Sequence, residues 1–231
     1  YTLDAGALAR LQPDLILTQD LCAVCAVPTR TVRDAAQQLG WDAEVVTLDP
    51  YSLDEVIESI GTVAAAAGVP DRGAELIMNL RARLDAVITS VPELPRPRVA
   101  VLEWIDPPFG AGHWMPDMIT AAGGEPVACR PRERSAPISW DEIAAARPEI
   151  MIISPCGYDL DGAAGQAAKI VDDPAIMDRF PGIQLWAIDA DGLMVRPGPR
   201  LVDGVEALAT IIHPSADRIG SAAVRRIPTV G

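Results

Sequence analysis

Cys22-Ala-Val-Cys25 is the loudest short motif in the chain. A CxxC pair at a strand-to-helix junction suits redox chemistry, because a helix N-terminus favours the thiolate. The same pair could hold half of a zinc site, with Cys156 and either Cys129 or His113 completing it. Lining thiols and a disulfide stay open beside these readings. The second candidate is Glu103-Trp-Ile-Asp-Pro-Pro-Phe-Gly-Ala-Gly-His-Trp114, the densest aromatic segment in a chain that is only 4% aromatic. Prolines stiffen this loop, so Trp104, Phe109 and Trp114 would offer preset faces to a flat, partly apolar ligand. His113 could bind a metal, including a metal carried by a ligand, or simply hydrogen-bond. Pro155-Cys-Gly-Tyr158 and Arg196-Pro-Gly-Pro-Arg200 read either as turns or as further walls of the same cleft.

Other chemistries are absent from the pattern. There is no Walker loop, no HExxH and no GxSxG, and Gly110-Ala-Gly112 lacks the third glycine of a dinucleotide fingerprint. Asp159-Leu-Asp-Gly162 and Asp189-Ala-Asp-Gly192 resemble calcium-loop fragments. Position twelve would be Ile170 or Arg200, so neither completes a cage. No catalytic residue is assigned, and no intrinsic metal or cofactor is expected.

The elements that must position these residues follow from periodicity. Ala7–Thr18 reads as a short helix, a proline break at Pro13 and a buried strand, and Ile143–Ser154 repeats that order around Pro148. Two copies about 135 residues apart suggest two α/β lobes. Between them Leu76, Ile77, Leu80, Leu84, Val87, Ile88 and Val91 form an apolar stripe at helical spacing. Asp71 is a candidate N-cap, and Pro92 ends the run. This helix, about 30 Å long at 1.5 Å per residue, reads as a strut joining two lobes. The second half alternates: strand Arg98–Glu103, loop Asp106–Gly112, helix Pro116–Ala122 and turn Gly123-Gly124. A capping box at Ser139-Trp-Asp-Glu142, strand Ile150–Ile153, a helix after Gly162, strand Leu185–Ile188 and helix Val202–Ile212 follow. The first half offers only two convincing strands, Leu15–Thr18 and Glu44–Leu48.

Composition narrows the partners. The 231 residues carry 19 Lys+Arg, 18 of them Arg, against 32 Asp+Glu, giving a net charge of −13. That sign disfavours nucleic acid. Apolar residues make up 49%, enough for substantial cores, while the longest apolar runs, such as Thr62–Val69, fall well short of the ~20 residues a membrane span needs. The expectation is an acidic, globular, non-transmembrane protein.

Taken in order, Leu11–Thr18, the strut helix, Glu103–Phe109 with Gly123-Gly124, Arg147–Ile153 and Arg196–Leu201 resemble the helical-backbone periplasmic substrate-binding proteins, and within them the cobalamin-binding branch. The resemblance implies two Rossmann-like α/β lobes bridged by one long helix, with a ligand cleft between them. Its divisions would be 1–70 for an incomplete N-terminal lobe, 71–92 for the helix, 96–213 for the C-terminal lobe and 214–231 for a tail. It implies no enzymatic activity but binding of a large planar metal chelate, cobalamin or another corrinoid, for an ABC importer permease. Haem or an iron–siderophore is the alternative in the same fold, and a cytosolic thiol protein using Cys22/Cys25 the alternative outside it. By position, the cleft would be lined by Gln19, Asp20 and Cys22 on one lobe. Trp104, Pro107, Phe109, His113, Trp114, Cys156, Tyr158 and Arg196 would line it on the other. Two departures stand out. The strand, Pro-Ser-rich loop and helix with which family chains begin are not in this sequence. The acidic docking positions of importer members fall near Arg30 and Val195, with Asp20, Asp34 and Asp203 close by. Localisation is extracytoplasmic, periplasmic or lipid-anchored, if an importer is the partner, and cytoplasmic otherwise.

Overall fold

A computed structural model describes residues 3–20, 27, 29–38, 40, 43–91, 95–214 and 222–229. In chain order the N-terminal lobe contains α1 (Ala5–Leu11), β1 (Leu15–Thr18), α2 (Thr29–Gln38), β2 (Glu44–Thr47) and α3 (Leu53–Ala66). The long helix α4 (Pro70–Ser90) follows. Next come β3 (Arg98–Ile105), β4 (Pro108–Gly110), α5 (Met115–Ala121), β5 (Glu125–Pro126), β6 (Ala136–Pro137) and α6 (Trp140–Ala145). The chain closes with β7 (Ile150–Ile153), α7 (Leu160–Val171), α8 (Pro174–Met177), β8 (Gln184–Ile188), α9 (Ala190–Leu193), α10 (Leu201–Ile212) and β9 (Val224–Ile227).

β1 and β2 pair in parallel as a small sheet. The second sheet runs β6-β4-β3-β7-β8-β9, with β5 also on β3, and its centre β3-β7-β8 is parallel. Val99, Val101, Ile150 and Ile152 face a core shared with α5 and α10. Ala100, Leu102, Met151 and Ile153 face the opposite core beneath α6 and α7. A parallel sheet covered on both faces explains why these strands are apolar without alternation. The molecule is thus an α/β protein of two lobes spanned by one helix. Among the described residues no helix is long and apolar enough to cross a membrane.

The strut differs from the expected stripe. α4 opens at Pro70, with Val69 at the cap and no side-chain cap bond, so Asp71 lies in the first turn rather than at the N-cap. Pro suits the first helical position because its missing N–H would be unpaired there anyway. Gly73 and Leu80 are buried, and Ile77, Leu84 and Val87 pack against the core. Leu76, Met78 and Ile88 stay exposed. A Cβ at Gly73 would collide with Ala64 of α3, so glycine permits that close approach. Arg81 pairs with Asp54 (2.8 Å) of α3, and Arg83 with Asp203 (2.6 Å) and Glu206 (2.7 Å) of α10. Two arginines two residues apart therefore tie one helix to both lobes.

Two further expectations change, and a third reading is sharpened. The aromatic segment is a hairpin, not a loop: β3 turns through cis-Pro107 into antiparallel β4, with Trp104 opposite Phe109. The two Asp-x-Asp-Gly fragments are helix starts, with Asp159 accepting from Gly162 N (2.9 Å) and Asp189 from Gly192 N (2.9 Å). A carboxylate three residues ahead of an N–H is an N-cap, and the following glycine marks no metal loop. Finally, the stretch 214–231, read as a tail, supplies β9, whose Val224–Ile227 pairs antiparallel with β8. Ile227 also packs against the sheet's cores, although two of its strand neighbours are arginines, which hid the strand in the sequence.

Candidate functional site: a cavity between the lobes

β1, β2 and β7 end on the same side of the molecule, and the segments that follow them converge. Leu17, Thr18, Gln19, Leu48 and Ser59 form one wall. Cys156, Gly157, Asp191, Val195, Arg196 and Pro197 form the other, around a cavity of about 540 Å³. The carboxyl ends of parallel strands are where α/β folds place their ligands, and the volume lies within the ~300–1,000 Å³ of ordinary ligand sites.

The C-terminal wall is fixed by backbone bonds. Ser154 N donates to Leu102 O (2.9 Å), Cys156 N to Glu103 O (3.2 Å) and Tyr158 N to Pro155 O (3.1 Å), folding the segment after β7 onto β3. Gly157 has φ +81°, which glycine adopts without strain. Asp191 N donates to Tyr158 O (3.0 Å), joining this turn to α9. Arg196 then closes on Asp191, with Nε at 2.9 Å and Nη2 at 2.6 Å from the same carboxylate oxygen.

On a different flank the lobes are held together. Arg134 Nη2 donates to Asp20 O (2.8 Å) and its Nε to Tyr51 Oη (3.4 Å). Leu53 N donates to Asp117 Oδ2 (3.1 Å) across the same boundary. Tyr51 and His113 lie with ring centroids 5.4 Å apart. The cavity therefore has one tethered side.

Of the residues expected in the cleft, Gln19, Cys156 and Arg196 come together on its walls. Tyr158 directly follows the Cys156-Gly157 wall and meets Trp104 edge to face at 5.8 Å. Trp104 is 38% exposed, and its Nε1 donates to Asp106 O (3.0 Å). Pro107 is exposed at the hairpin turn, and Phe109 is half-buried within β4. Asp20 turns its carboxylate to Thr29 N (2.8 Å) at the start of α2, and that bond, with Thr29's side chain, holds its pKa below the usual carboxylate value. Half-buried His113 stacks between Tyr51 and Trp114. Trp114 is a correction: it is 4% exposed in the C-terminal core, with Nε1 donating to Met194 O (2.8 Å), and offers no face to a ligand. It sits where the chain turns inward to start α5, so its large apolar ring packs rather than lines. Cys22, with Cys25, lies outside the described residues. Among those described, no group of three or more His, Cys, Asp or Glu could hold a metal. Half-buried Cys129 has its thiol pKa raised by burial.

Three residues escaped the sequence reading. Arg134 belongs to a loop with no motif of its own, and Asp191, in the first turn of α9, reads only as part of the Asp189–Gly192 fragment although it lies five positions before Arg196. Glu103 looks like a strand-end surface residue, yet it is half-buried. Burial pushes its carboxyl pKa up, opposed by hydrogen bonds from Gly112 N (3.0 Å) and Ser135. Gly112 has no room for a Cβ against the 133–135 backbone, so glycine lets this packing form.

A two-lobed α/β body with a helical strut and an inter-lobe cavity defines a ligand-binding class. The chain belongs to the periplasmic binding protein family, which matches residues 2–177, and it has that family's helical-backbone form. It is 24% identical over 213 residues to an uncharacterized ABC transporter substrate-binding lipoprotein, YvrC, of Bacillus subtilis, covering 88% of this chain and 63% of that protein's length. A periplasmic heme binding protein from Pseudomonas aeruginosa superposes with a TM-score of 0.72 at 22% identity, covering 100% of this chain and 83% of the other. The periplasmic vitamin B12 binding protein BtuF of Vibrio cholerae superposes with a TM-score of 0.68 at 22% identity, covering 91% and 78%.

Proposed function

We propose that this chain is the solute-binding part of an ABC importer and holds a large planar metal chelate, cobalamin or another corrinoid, between lobes 1–70 and 96–213 joined through 71–92. The inter-lobe cavity of about 540 Å³ carries this reading, since its walls come from both lobes. Gln19, Thr18 and Ser59 offer neutral donors and acceptors of the kind that amide-bearing ligands pair with. The exposed Trp104 and the half-buried Tyr158 stand beside the wall as aromatic faces. The fold shared with a vitamin B12 binding protein supports the same choice. The likeness to a substrate-binding lipoprotein supports an extracytoplasmic, lipid-anchored setting and a permease partner. The protein then releases its ligand unchanged, consistent with a family of transport components.

Haem is the second reading, favoured by the heme binding protein whose fold covers the whole chain. Titration of the purified protein with cyanocobalamin, dicyanocobinamide, haemin and a ferric siderophore, followed by tryptophan fluorescence, separates the cases. Quenching at micromolar corrinoid is the expected result. Quenching by haemin alone moves the assignment to the second reading, and silence from all four ligands removes both.

A further inference from the structure

The charge inside the cavity is arranged in an unusual way. Among the described residues on its walls, Asp191 and Arg196 are the only charged ones. Both the Nε and Nη2 of Arg196 are spent on one oxygen of Asp191, at 2.9 and 2.6 Å. The nearby Asp20 carboxylate is committed to Thr29 N (2.8 Å). A guanidinium held this way has its Nε–Nη2 edge occupied, one of the two paired N–H edges with which arginine grips carboxylates. The one positive group among the described lining residues is thus paired with a carboxylate of the same wall, in a chain of net charge −13.

We propose that Asp191 is a selectivity residue: by pairing with Arg196 it sets the cavity to accept macrocyclic chelates decorated with neutral amides and to reject those decorated with carboxylates. This rests on the corrinoid reading above and adds to it the chemistry of the ligand's rim. A carboxylate entering the cavity meets the Asp191 carboxylate beside an arginine whose Nε–Nη2 edge is already engaged. An amide meets Gln19, Thr18 and Ser59 without an ionic penalty. Asp191 reaches this position because Asp189 caps α9 and Asp191 N is anchored on Tyr158 O (3.0 Å), so the carboxylate is placed by backbone rather than by a free loop.

The test uses one ring with two rims, dicyanocobinamide with amides and dicyanocobyrinic acid with carboxylates, titrated into the full chain and into Asp191→Asn. The wild type should prefer the amide ring. In Asp191→Asn the ratio of the two dissociation constants should move about tenfold toward the carboxylate ring, as expected for releasing one charge-assisted contact. That gain should shrink at about 0.5 M salt, where exposed charges are screened within a few ångströms. Adding Arg196→Gln to Asp191→Asn should return the ratio toward the wild-type value, which a purely structural role for Asp191 would not produce. An unchanged ratio in Asp191→Asn, or a shift that survives in the double variant, overturns the inference while leaving the corrinoid reading in place. Failure of either ring to bind the wild type and both variants overturns that reading and the inference together.

Discussion

β1 and β7 are nearly the same sentence written twice. Pro-Asp-Leu-Ile-Leu-Thr leads into one and Pro-Glu-Ile-Met-Ile-Ile into the other. In each, the acidic residue's carbonyl accepts the first N–H of the neighbouring strand, Glu44 N to Asp14 O (2.9 Å) and Gln184 N to Glu149 O (3.0 Å). Their surroundings differ. β7 lies between β3 and β8 with a core on each face, and all four residues are buried. β1 pairs with β2 alone among the described strands, and Leu17 is 47% exposed on the cavity wall. Equal local structure thus carries unequal burial, and the less buried copy is the one that faces the cavity.

That contrast is tested most sharply by truncation. Ile152→Ala in β7 should cost about 2–5 kcal/mol in urea unfolding, because a fully buried side chain leaves a cavity between packed layers. Leu17→Ala should cost under about 1 kcal/mol and act mainly on ligand affinity, since it removes little buried area. Equal losses at the two sites would break the comparison.

The two tryptophans of the aromatic segment extend it. Trp114→Phe keeps most of the ring but strands the Met194 carbonyl, at a cost of about 1–3 kcal/mol in thermal or urea unfolding. Trp104→Phe should stay within about 0.5 kcal/mol of wild type in stability, as a partly exposed ring with only a local bond to Asp106. Its effect should instead be on fluorescence quenching by corrinoid.

Glu103 gives the pH signature of the hairpin base. Its folded pKa is raised by burial, so the native state holds this proton more tightly than the unfolded chain does. Its contribution to stability is therefore full below the unfolded value of about 4.3 and is lost as pH rises through the folded value. Wild type should lose stability over that rise relative to Glu103→Gln, whose profile should be flatter in urea midpoints. No difference between the two profiles would mean the carboxyl ionises freely.

A similarly small effect should come from the tethered flank. Arg134→Ala removes the donor to Asp20 O and Tyr51, exposed contacts worth about 0.5–1 kcal/mol. Hydrogen exchange at 18–20 should speed up accordingly, while β7 amides stay protected.

Much of this architecture was readable before any coordinates. The alternation of strands and helices from Arg98 onward, the capping box at Ser139 and the strut's length depend on neighbours in sequence, and the chain alone contains them. The cavity was readable in outline: Gln19, Cys156 and Arg196 follow strands whose ends must gather at one edge of parallel sheets. Trp114 was not, because spacing places an aromatic near a loop but does not say whether the chain then turns inward. β9 was hidden by Arg225 and Arg226, whose side chains project to solvent or to Asp161 (2.7 Å) rather than breaking the strand.

The residue order alone determined the elements, their class and the family pattern, because helix period, caps and proline breaks are set by contacts a few residues apart. Tertiary structure decided which of two similar strands is buried, which tryptophan faces water, and that Gln19 and Arg196 line one cavity. Those outcomes depend on segments far apart in the chain meeting in space, and no local pattern encodes the meeting.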